Sequence, residues 1–328
     1  MDQLDNNTEG HISKKVSINP FSKEEYPVPL EIDDSENINN FLLGNKGKRI
    51  VVVQGLGFVG AVMSLVCANS VYEDYAVIGV DIADERNLWK IRSINEGQFP
   101  LIADDPKIEE FFKNSKDKNN FYATFDPYAY SLADVIIVDI NLDVEKNSEP
   151  NMELSSFNVN LDNFEDAIKT IGDHCKERAL ILVETTVPPG TCKEKVFPII
   201  KDRLHSRGLD SKKIKIGHSY ERVMPGPDYI DSIQNFYRVY SGINSISAEA
   251  TEKFLRSIIN TDNYPLTRLS NTNASEIAKV LENSYRAMNI SFMVEWSRFA
   301  EESEVNLYEV VNAIRLRPTH SNIMFPGI

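Results

Sequence analysis

The stretch QGLGFVG, residues 54–60, directly follows the apolar run RIVVV of residues 49–53. Its three glycines have the GxGxxG spacing of a dinucleotide-binding turn between a strand and a helix. The first glycine makes the tight turn, the second lets the backbone approach a pyrophosphate, and the third lets the helix pack close to the strand. The amide groups at the start of such a helix face the phosphates. The residues predicted to bind a cofactor here are Gly55, Gly57, Phe58, Val59 and Gly60.

An acidic residue stands at the end of the next apolar run, YAVIGVD. Asp81 lies 21 residues after Gly60, where a carboxylate can bind a ribose hydroxyl and would repel the additional phosphate of NADP. A strand-to-helix turn without a ligand is the alternative interpretation, but strand, helix and acid together favour binding. We therefore predict NAD as the cofactor.

From residue 49 onward, apolar runs alternate with amphipathic segments. Strands that are apolar throughout and separated by helices are typical of a parallel sheet with helices on both faces. This pattern predicts a doubly wound parallel sheet, the Rossmann class of α/β fold, over residues 47–243. Residues 1–46 are polar and show little periodicity, so an N-terminal arm, partly disordered, is expected there. The predicted strands are RIVVVQG, YAVIGVDI, ADVIIVDI, RALILVETTV and the weaker KIKIGHS.

The pattern turns helical afterwards, and residues 244–328 are predicted to form a helical domain. We expect one helix over residues 248–259, a much longer one over about 273–302 and a shorter one over Leu307–Arg315. A helix of roughly 30 residues is about 45 Å long, more than one small domain covers, so it should pack against a partner chain or a second domain. Its apolar stripe is formed by Ile277, Leu281, Tyr285, Met288, Phe292 and Phe299.

The composition is that of an ordinary globular protein, with 42% hydrophobic and 26% charged residues. The formal charge of −14 argues against a nucleic acid or an anionic membrane as partner, because either needs a basic face. No signal peptide or membrane helix is recognisable, so a cytoplasmic protein is expected. The three cysteines, Cys67, Cys175 and Cys192, are too widely spaced for a metal motif and favour a reducing compartment.

One face of the long helix carries candidates for chemistry. Hydride transfer from an alcohol needs a group that takes the proton or stabilises the oxyanion. Lys279 and Asn283 lie four residues apart and Arg286 three further on, so they project from one face, opposite the apolar stripe. A row of this kind is more often a solvated helix face, and spacing alone leaves both interpretations open.

Two more motifs follow strand-like runs. In ETTVPPGTCKE, Thr191 and Glu194 have the T-x-x-E spacing of a capping box that would start the next helix. The preceding Glu184 and Thr186 stand at the carboxyl end of a strand, where doubly wound folds bind ligands.

The motif YERVMPG places two charged residues, Glu221 and Arg222, just before a Pro-Gly turn. These residues follow the weak strand KIKIGHS, so they too lie at the carboxyl end of a strand. A surface ion pair explains them as well as a functional role does.

Taken together and in order, GLGFVG, ETTVPPGT, YERVMPG and KVLENSYRAMN resemble the UDP-glucose/GDP-mannose dehydrogenase family, the nucleotide-sugar dehydrogenases. The resemblance extends from about Lys48 to Ile328. It implies an NAD-binding domain, a long helix that also forms a homodimer, and a second domain for the sugar nucleotide. It further implies oxidation of the C6 alcohol of a UDP- or GDP-sugar to a carboxylate in two hydride transfers. The ERVMPG form is closer to the UDP-N-acetylhexosamine branch than to the UDP-glucose branch.

The resemblance also implies roles for single residues. Lys279 would stabilise the oxyanion with the help of Asn283, and both would contact the nucleotide-sugar substrate. Thr186 would contact NAD and orient a water molecule. Glu221 would be the general base or acid that hydrolyses a thioester, with Arg222 beside it in the substrate site.

This chain departs from the family pattern at two places. Family members continue after an FPG motif with a glycine-rich turn that carries the nucleophilic cysteine. Here FPG is Phe325–Gly327, so the resemblance implies a chain truncated before that cysteine and before the sugar-nucleotide domain. The second departure is VDINLDVEK, residues 138–146, where most members have a VPTP-like segment, which puts NAD contacts there in doubt.

Two other functions remain possible on the sequence alone. A β-hydroxyacid dehydrogenase shares the dinucleotide turn and a helix with Lys and Asn four residues apart, although the motifs YERVMPG and ETTVPPGT have no place in that group. A non-catalytic, dimerising NAD-binding fragment would need neither the thiol nor the second domain.

Overall fold

The computed structural model describes residues 15–142 and 159–327. The chain divides into two compact units, Met1–Ser275 and Glu276–Ile328. The segment 138–146, which departs from the family pattern, lies partly outside these described ranges, because the first of them ends at residue 142.

The described residues begin with a small structure of their own. Strand β1 (Val16–Ile18) pairs antiparallel with β2 (Glu25–Pro27), and helix α1 (Ser35–Leu43) follows. Tyr26 and Ile38 are buried in this part of the chain. We expected a partly disordered arm over residues 1–46. Residues 1–14 lie outside the described residues, and residues 15–46 contain these three elements. The elements are too short to show periodicity in the sequence.

An eight-stranded sheet forms the centre of the first unit. Its spatial order is β10-β9-β8-β7-β6-β3-β4-β5. The six strands from β8 to β5 are all parallel, whereas β9 pairs antiparallel with β8 and parallel with β10. The strands are β3 (Arg49–Gln54), β4 (Tyr75–Val80), β5 (Phe121–Thr124), β6 (Val135–Val138), β7 (Leu180–Val183), β8 (Lys215–His218), β9 (Val239–Gly242) and β10 (Thr267–Arg268).

The predicted doubly wound class is confirmed, since the five predicted apolar runs are β3, β4, β6, β7 and β8. Buried side chains on the two faces of the sheet belong to two separate apolar clusters: Val51 and Val53 pack on one side and Val52 on the other. Helices therefore cover both faces. These helices are α2 (Phe58–Ala68), α3 (Leu88–Glu96), α4 (Pro106–Asp117), α5 (Tyr128–Leu132), α6 (Asp162–His174), α7 (Phe197–Ser206), α8 (Tyr229–Gln234) and α9 (Ser245–Ile258).

The strand order reverses between β3 and β6, because the chain leaves β3 towards β4 and later returns to the other side of β3. In doubly wound folds, ligands bind at the carboxyl ends of the strands beside such a reversal. The turn after β3 lies at this point. Helix α9, which we expected at residues 248–259 as part of the helical domain, packs instead on β8 and β9 of the first unit.

The long helix is confirmed as α10 (Thr272–Glu302), and the predicted shorter helix is α11 (Leu307–Arg315). The second unit consists of most of α10, α11 and the residues after them. The apolar stripe of α10 lies on the outside: Leu281 is 62% exposed, Met288 72% and Phe299 72%. Unlike the sheet, this unit leaves large apolar side chains in contact with solvent.

Candidate active site

The first glycine of the turn after β3 has a conformation that other residues rarely adopt. Gly55 has a φ of 97°, in the left-handed region that favours glycine. A Cβ atom at this position would lie 2.3 Å from the carbonyl oxygen of Asp139. The turn can therefore approach the end of β6 only because residue 55 has no side chain.

The other two glycines of the turn have different surroundings. A Cβ atom at Gly60 would lie 1.9 Å from the carbonyl oxygen of Gly55, so this glycine lets α2 pack against the turn. A Cβ atom at Gly57 would meet no described heavy atom within 4 Å. Gly57 is the N-cap of α2 and has no side chain to cap it, so the first amides of the helix face open space, as an anion requires.

A residue of another helix binds the backbone at the start of α2, directly after this turn. Tyr229, on α8, donates a hydrogen bond of 2.6 Å from its hydroxyl to the carbonyl oxygen of Phe58. Phe58 itself is 64% exposed. The start of α2 is thus fixed through its backbone, and the predicted role of Phe58 and Val59 depends on their amide groups.

Asp81, at the end of β4, is oriented by backbone amides. Its carboxylate accepts hydrogen bonds from the amides of Leu56 at 3.0 Å and Ile82 at 2.8 Å. The ammonium group of Lys90 lies 3.8 Å from the same carboxylate. Burial raises the pKa of Asp81, an effect that Lys90 and the two amides oppose. Turn and carboxylate together fit a dinucleotide: the α2 amides would hold its pyrophosphate and Asp81 its adenosine ribose.

A buried ion pair lies at the same edge of the sheet, behind the turn. Glu184 follows β7 and Arg238 precedes β9, which runs antiparallel and so begins where its neighbour ends. Arg238 donates to the Glu184 carboxylate at 2.8 Å, and their side chains are 4% and 0% exposed. Burial raises the pKa of Glu184 to about 7, although Arg238 opposes this. Arg238 also contacts the carbonyl oxygen of Tyr220 at 3.5 Å.

A second acid, Asp139, joins this pair from the end of β6. Burial raises its pKa well above the ordinary value, and the neighbouring Glu184 and Glu221 carboxylates add to the effect. The Asp139 Oδ2, Glu184 Oε2 and Arg238 Nε atoms are shielded from solvent and have no hydrogen-bond partner among the described residues. Asp139 and Arg238 are not among the site residues predicted from the sequence. The available signal for Asp139 was its place directly after the apolar run VIIV.

Thr185 and Thr186 differ in exposure. The Thr185 hydroxyl is buried, accepts from the Ile140 amide at 2.9 Å and donates to the Val138 carbonyl at 3.1 Å, which ties the end of β7 to that of β6. The side chain of Thr186 is exposed.

The adjacent capping-box prediction is wrong: the Thr191 hydroxyl donates to the Pro188 carbonyl at 2.6 Å instead of capping the π-helical turn that follows.

Glu221 and Arg222 follow β8, the neighbour of β7, so Thr186 and Glu221 lie after adjacent parallel strands. Glu221 accepts a hydrogen bond of 2.6 Å from the Val223 amide. Arg222 donates to the Tyr237 carbonyl at 2.8 Å and lies over the Tyr220 ring, 5.3 Å from its centroid. The loop that carries both charged residues is thus held by specific contacts.

Lys279 and Asn283 belong to the second unit, on α10. Lys279 is only 8% exposed, whereas Asn283 and Arg286 are exposed. Because residues 272–302 form one continuous helix, Lys279, Asn283 and Arg286 lie on the side opposite the apolar stripe. Near Lys279 the stripe is the more exposed of the two sides. Their catalytic roles stay predictions.

All three cysteines lie among the described residues, are buried and form no disulfide. Burial is the main cause that raises the pKa of the Cys67 thiol well above its ordinary value and that of Cys175 to about 11. Thiols in such surroundings are poor nucleophiles.

Among the residues that the structure describes, no group of His, Cys, Asp or Glu side chains is arranged to hold a metal ion, and no helix is long and apolar enough to cross a membrane.

Sequence comparison identifies the two parts of the chain. Residues 48–259 match the profile of the NAD-binding domain of the UDP-glucose/GDP-mannose dehydrogenase family, and residues 273–328 match the profile of its central domain. The chain belongs to the UDP-glucose/GDP-mannose dehydrogenase family. This result confirms the family resemblance and the prediction of NAD as the cofactor of the first unit.

Relatives within the UDP-glucose/GDP-mannose dehydrogenase family support its N-acetylhexosamine branch. The UDP-N-acetyl-D-mannosamine dehydrogenase of Methanocaldococcus jannaschii is 29% identical over 282 residues, which are 86% of this chain and 58% of that protein. The enzyme of the same name from Pyrococcus horikoshii is 29% identical over 281 residues, 85% of this chain and 60% of the relative. The chain thus spans about three fifths of the length of these curated relatives.

Solved structures of the family agree with the fold. A UDP-D-ManNAc dehydrogenase from Pyrococcus horikoshii superposes with a TM-score of 0.69 at 27% identity and covers 85% of this chain and 60% of its own. The GDP-mannose dehydrogenase of Pseudomonas aeruginosa superposes with a TM-score of 0.66 at 24% identity over 80% of this chain and 56% of that one. At that identity the second likeness concerns the fold alone.

Proposed function

We propose that this chain is the NAD-binding and central part of an enzyme that oxidises the C6 alcohol of a UDP-sugar, of the N-acetylhexosamine type, to a uronic acid. The observation that carries the proposal is the match of both parts of the chain, in order, to the two family profiles. The names of the relatives support the N-acetylmannosamine substrate over UDP-glucose.

The first unit provides the cofactor site. The amides at the start of α2 hold the pyrophosphate over the space left by Gly57, and Asp81 holds the adenosine ribose. Because a carboxylate at this position repels a 2′-phosphate, NAD is preferred over NADP. Bound NAD supplies a hydride acceptor.

Lys279 and Asn283 act on the substrate oxygen in this proposal. An ammonium group stabilises the negative charge that develops on the oxygen as its proton leaves, and an amide group can donate a further hydrogen bond to it. The low exposure of Lys279 supports the role, because a partly desolvated ammonium group interacts more strongly with an anion than a solvated one does.

Thr186 and Glu221 serve the hydrolytic step, in which a water molecule releases the product from a thioester. They follow the adjacent strands β7 and β8, which supports their acting on one water molecule. None of the buried thiols Cys67, Cys175 and Cys192 is suited to capture an aldehyde. We therefore expect residues 1–328 by themselves to bind NAD without completing the two-step oxidation.

We further propose that the protein forms a homodimer through α10. Leu281, Tyr285 and Met288 are each more than 60% exposed on one side of this helix. A row of exposed large apolar side chains marks a surface that another molecule covers, and a second copy of the chain presents the same row, as a twofold interface requires.

NADH formation tests the proposed reaction. The protein is given NAD with UDP-N-acetylmannosamine, UDP-glucose or a small 3-hydroxy acid, and NADH is followed by absorbance. We expect NADH from a UDP-sugar, at no more than one NADH per sugar, and a loss of about a hundredfold in rate in Lys279→Met without a change in NAD affinity. Turnover of the 3-hydroxy acid would identify a β-hydroxyacid dehydrogenase, and intact NAD binding without turnover of any substrate would favour a non-catalytic module.

A further inference from the structure

A hairpin outside the family profile packs on the cofactor domain. The profile begins at residue 48, so the β1–β2 hairpin, residues 16–27, is an addition to it. Both strands of the hairpin lie against α3, the helix that follows the Asp81 loop. The hairpin is thus placed where it can influence the ribose-binding carboxylate.

The hairpin supplies the N-terminal cap of α3. The amide of Trp89, in the first turn of the helix, donates to the hydroxyl of Ser17 at 3.1 Å, and Ser17 is fully buried. The N-cap residue of α3 is Asn87, but its side chain makes no capping bond. Instead its amide group donates to Asp84 and its oxygen accepts from Lys90. The role of the cap therefore passes to Ser17.

More hairpin contacts follow along the same face of α3. Asn19 donates to the Ser93 hydroxyl at 3.0 Å in a buried hydrogen bond, and the Tyr26 hydroxyl donates to Glu96 at 2.8 Å. The ring of Phe21 meets Trp89 edge-on at 5.9 Å. Contacts at positions 89, 93 and 96 follow the helical period, so the hairpin fixes the rotation and the first turn of α3.

That first turn carries the cation next to Asp81. The Lys90 ammonium donates to Asn87 at 2.8 Å and lies 3.8 Å from the Asp81 carboxylate. The loop between them is closed by Asp84, whose carboxylate accepts from the amides of Arg86 and Asn87. A continuous series of contacts thus joins Ser17 to Asp81 through α3.

From this geometry we infer that the β1–β2 hairpin holds the ribose-binding loop in its binding conformation, with Ser17 and Asn19 as positioning residues for NAD. Without the Ser17 cap the first turn of α3 frays and Lys90 leaves Asp81, so the carboxylate keeps only the Leu56 and Ile82 amides of the three groups that hold it. The apparent affinity for NAD then falls in proportion to the fraction of molecules that keep the loop in its binding conformation. The removal of one helix cap changes such an equilibrium by about fivefold, so about fivefold is the upper limit of the loss in NAD affinity.

The first experiment measures the dissociation constant of NAD by calorimetry. We expect Ser17→Ala to weaken binding by up to about fivefold, Ser17→Thr to restore it because the hydroxyl acceptor returns, and Asn19→Ala to weaken it less. The matched control is Ser22→Ala, the same change in the exposed turn of the hairpin, which should leave affinity unchanged. Wild-type affinity in Ser17→Ala would overturn the inference.

A double-mutant cycle separates positioning from general destabilisation. In an Asp81→Asn background, Ser17→Ala should cost less than twofold in NAD affinity, because the group on which it acts is already changed. A further fivefold loss there would show that Ser17 acts independently of Asp81, which would overturn the inference.

A measurement without nucleotide completes the test. Hydrogen exchange of the apo protein should be faster at residues 81–90 in Ser17→Ala than in the wild type, while the amides of β6 and β7 exchange as before. Unchanged exchange at residues 81–90, or equal acceleration throughout the sheet, would contradict the proposed route.

Discussion

The two units differ in one respect: the first buries a charged pair, and the second exposes a row of apolar side chains along a single helix. In the first unit, the charged pair of Glu184 and Arg238 is buried behind a sheet filled with apolar residues. In the second unit, the apolar residues Leu281 and Met288 lie on the outside of a long helix. Buried charge and exposed apolar surface both cost stability in an isolated chain. The difference is what the two proposals require, since one places a small-molecule site in the first unit and the other a surface for a second copy of the chain in the second.

The largest expected effect is a loss of stability when a buried ion pair is broken. The comparison is with an exposed ion pair that has a similar N···O distance. Arg238→Ala leaves the buried Glu184 carboxylate unpaired and should lower the free energy of unfolding by about 3–5 kcal/mol. Arg298 of the second unit lies 2.7 Å from Glu295, but both side chains are 67% exposed. Arg298→Ala should change stability little, because solvent screens such a pair. Urea unfolding of both variants makes the comparison; equal losses would contradict the contrast between the units.

A comparison of two glycines separates folding from binding within the first unit. Gly55→Ala forces a positive φ on a residue with a side chain and brings its Cβ atom against the Asp139 carbonyl, so it should cost about 3 kcal/mol or more of stability. Gly57→Ala meets open space and should leave the melting temperature almost unchanged. Because its methyl group occupies the approach of the pyrophosphate, NAD affinity should still fall more than tenfold by calorimetry. Normal NAD affinity in Gly57→Ala would show that the cofactor lies elsewhere.

The buried acids should make stability depend on pH. The pKa of Glu184 rises from 4.5 in the unfolded chain to about 7 in the folded protein, so the folded state binds its proton more tightly. This contribution to stability is complete below about pH 4.5 and is lost as the pH rises to about 7, at most about 3 kcal/mol. Glu184→Gln should flatten the fall in melting temperature over this range, whereas Glu295→Gln on the exposed α10 should not. An unchanged slope in Glu184→Gln would assign the effect to other groups.

The smallest expected change in folding concerns the surface of α10. Leu281→Asp should alter the stability of the isolated chain by less than about 0.5 kcal/mol, because Leu281 is already exposed. If a second copy covers the stripe, the same change should weaken the dimer by about tenfold or more in sedimentation velocity experiments. Asn283→Asp, two positions along the helix, is the control for the added charge. An equal effect of both variants, or a monomeric wild type, would contradict the dimer.

The features predicted correctly are those that the sequence encodes within a short distance. The strand, turn and helix around Gly55–Gly60 are contiguous, and Asp81 follows one strand later, so spacing alone was enough to predict the turn and its place at the end of a strand. The length and bounds of α10 followed from one unbroken periodic pattern. The T-x-x-E pattern at Thr191 failed because Thr191 already has helical backbone angles, φ −55° and ψ −47°, and not the extended conformation that is typical of a capping residue.

The features that were not predictable from the sequence depend on contacts between distant residues. Asp139, Glu184 and Arg238 meet only because three strand ends share one edge of the sheet, including the antiparallel β9. Strands β9 and β10 are short, and β10 has two residues, which leaves no alternation to recognise. The hairpin before residue 28 is equally short, and its apolar partners lie on α3.

The bond between Ser17 and Trp89 also bears on synthesis, since it joins residues 72 positions apart. At a translation speed of about 5–20 residues per second, Ser17 leaves the ribosome roughly 4–14 s before Trp89 does. During that interval the hairpin has no helix to rest on, and two strands of three residues do not persist alone in water. The first described part of the chain to be made is therefore among the later parts to become ordered, and a nascent chain stalled before α3 would expose it to proteases.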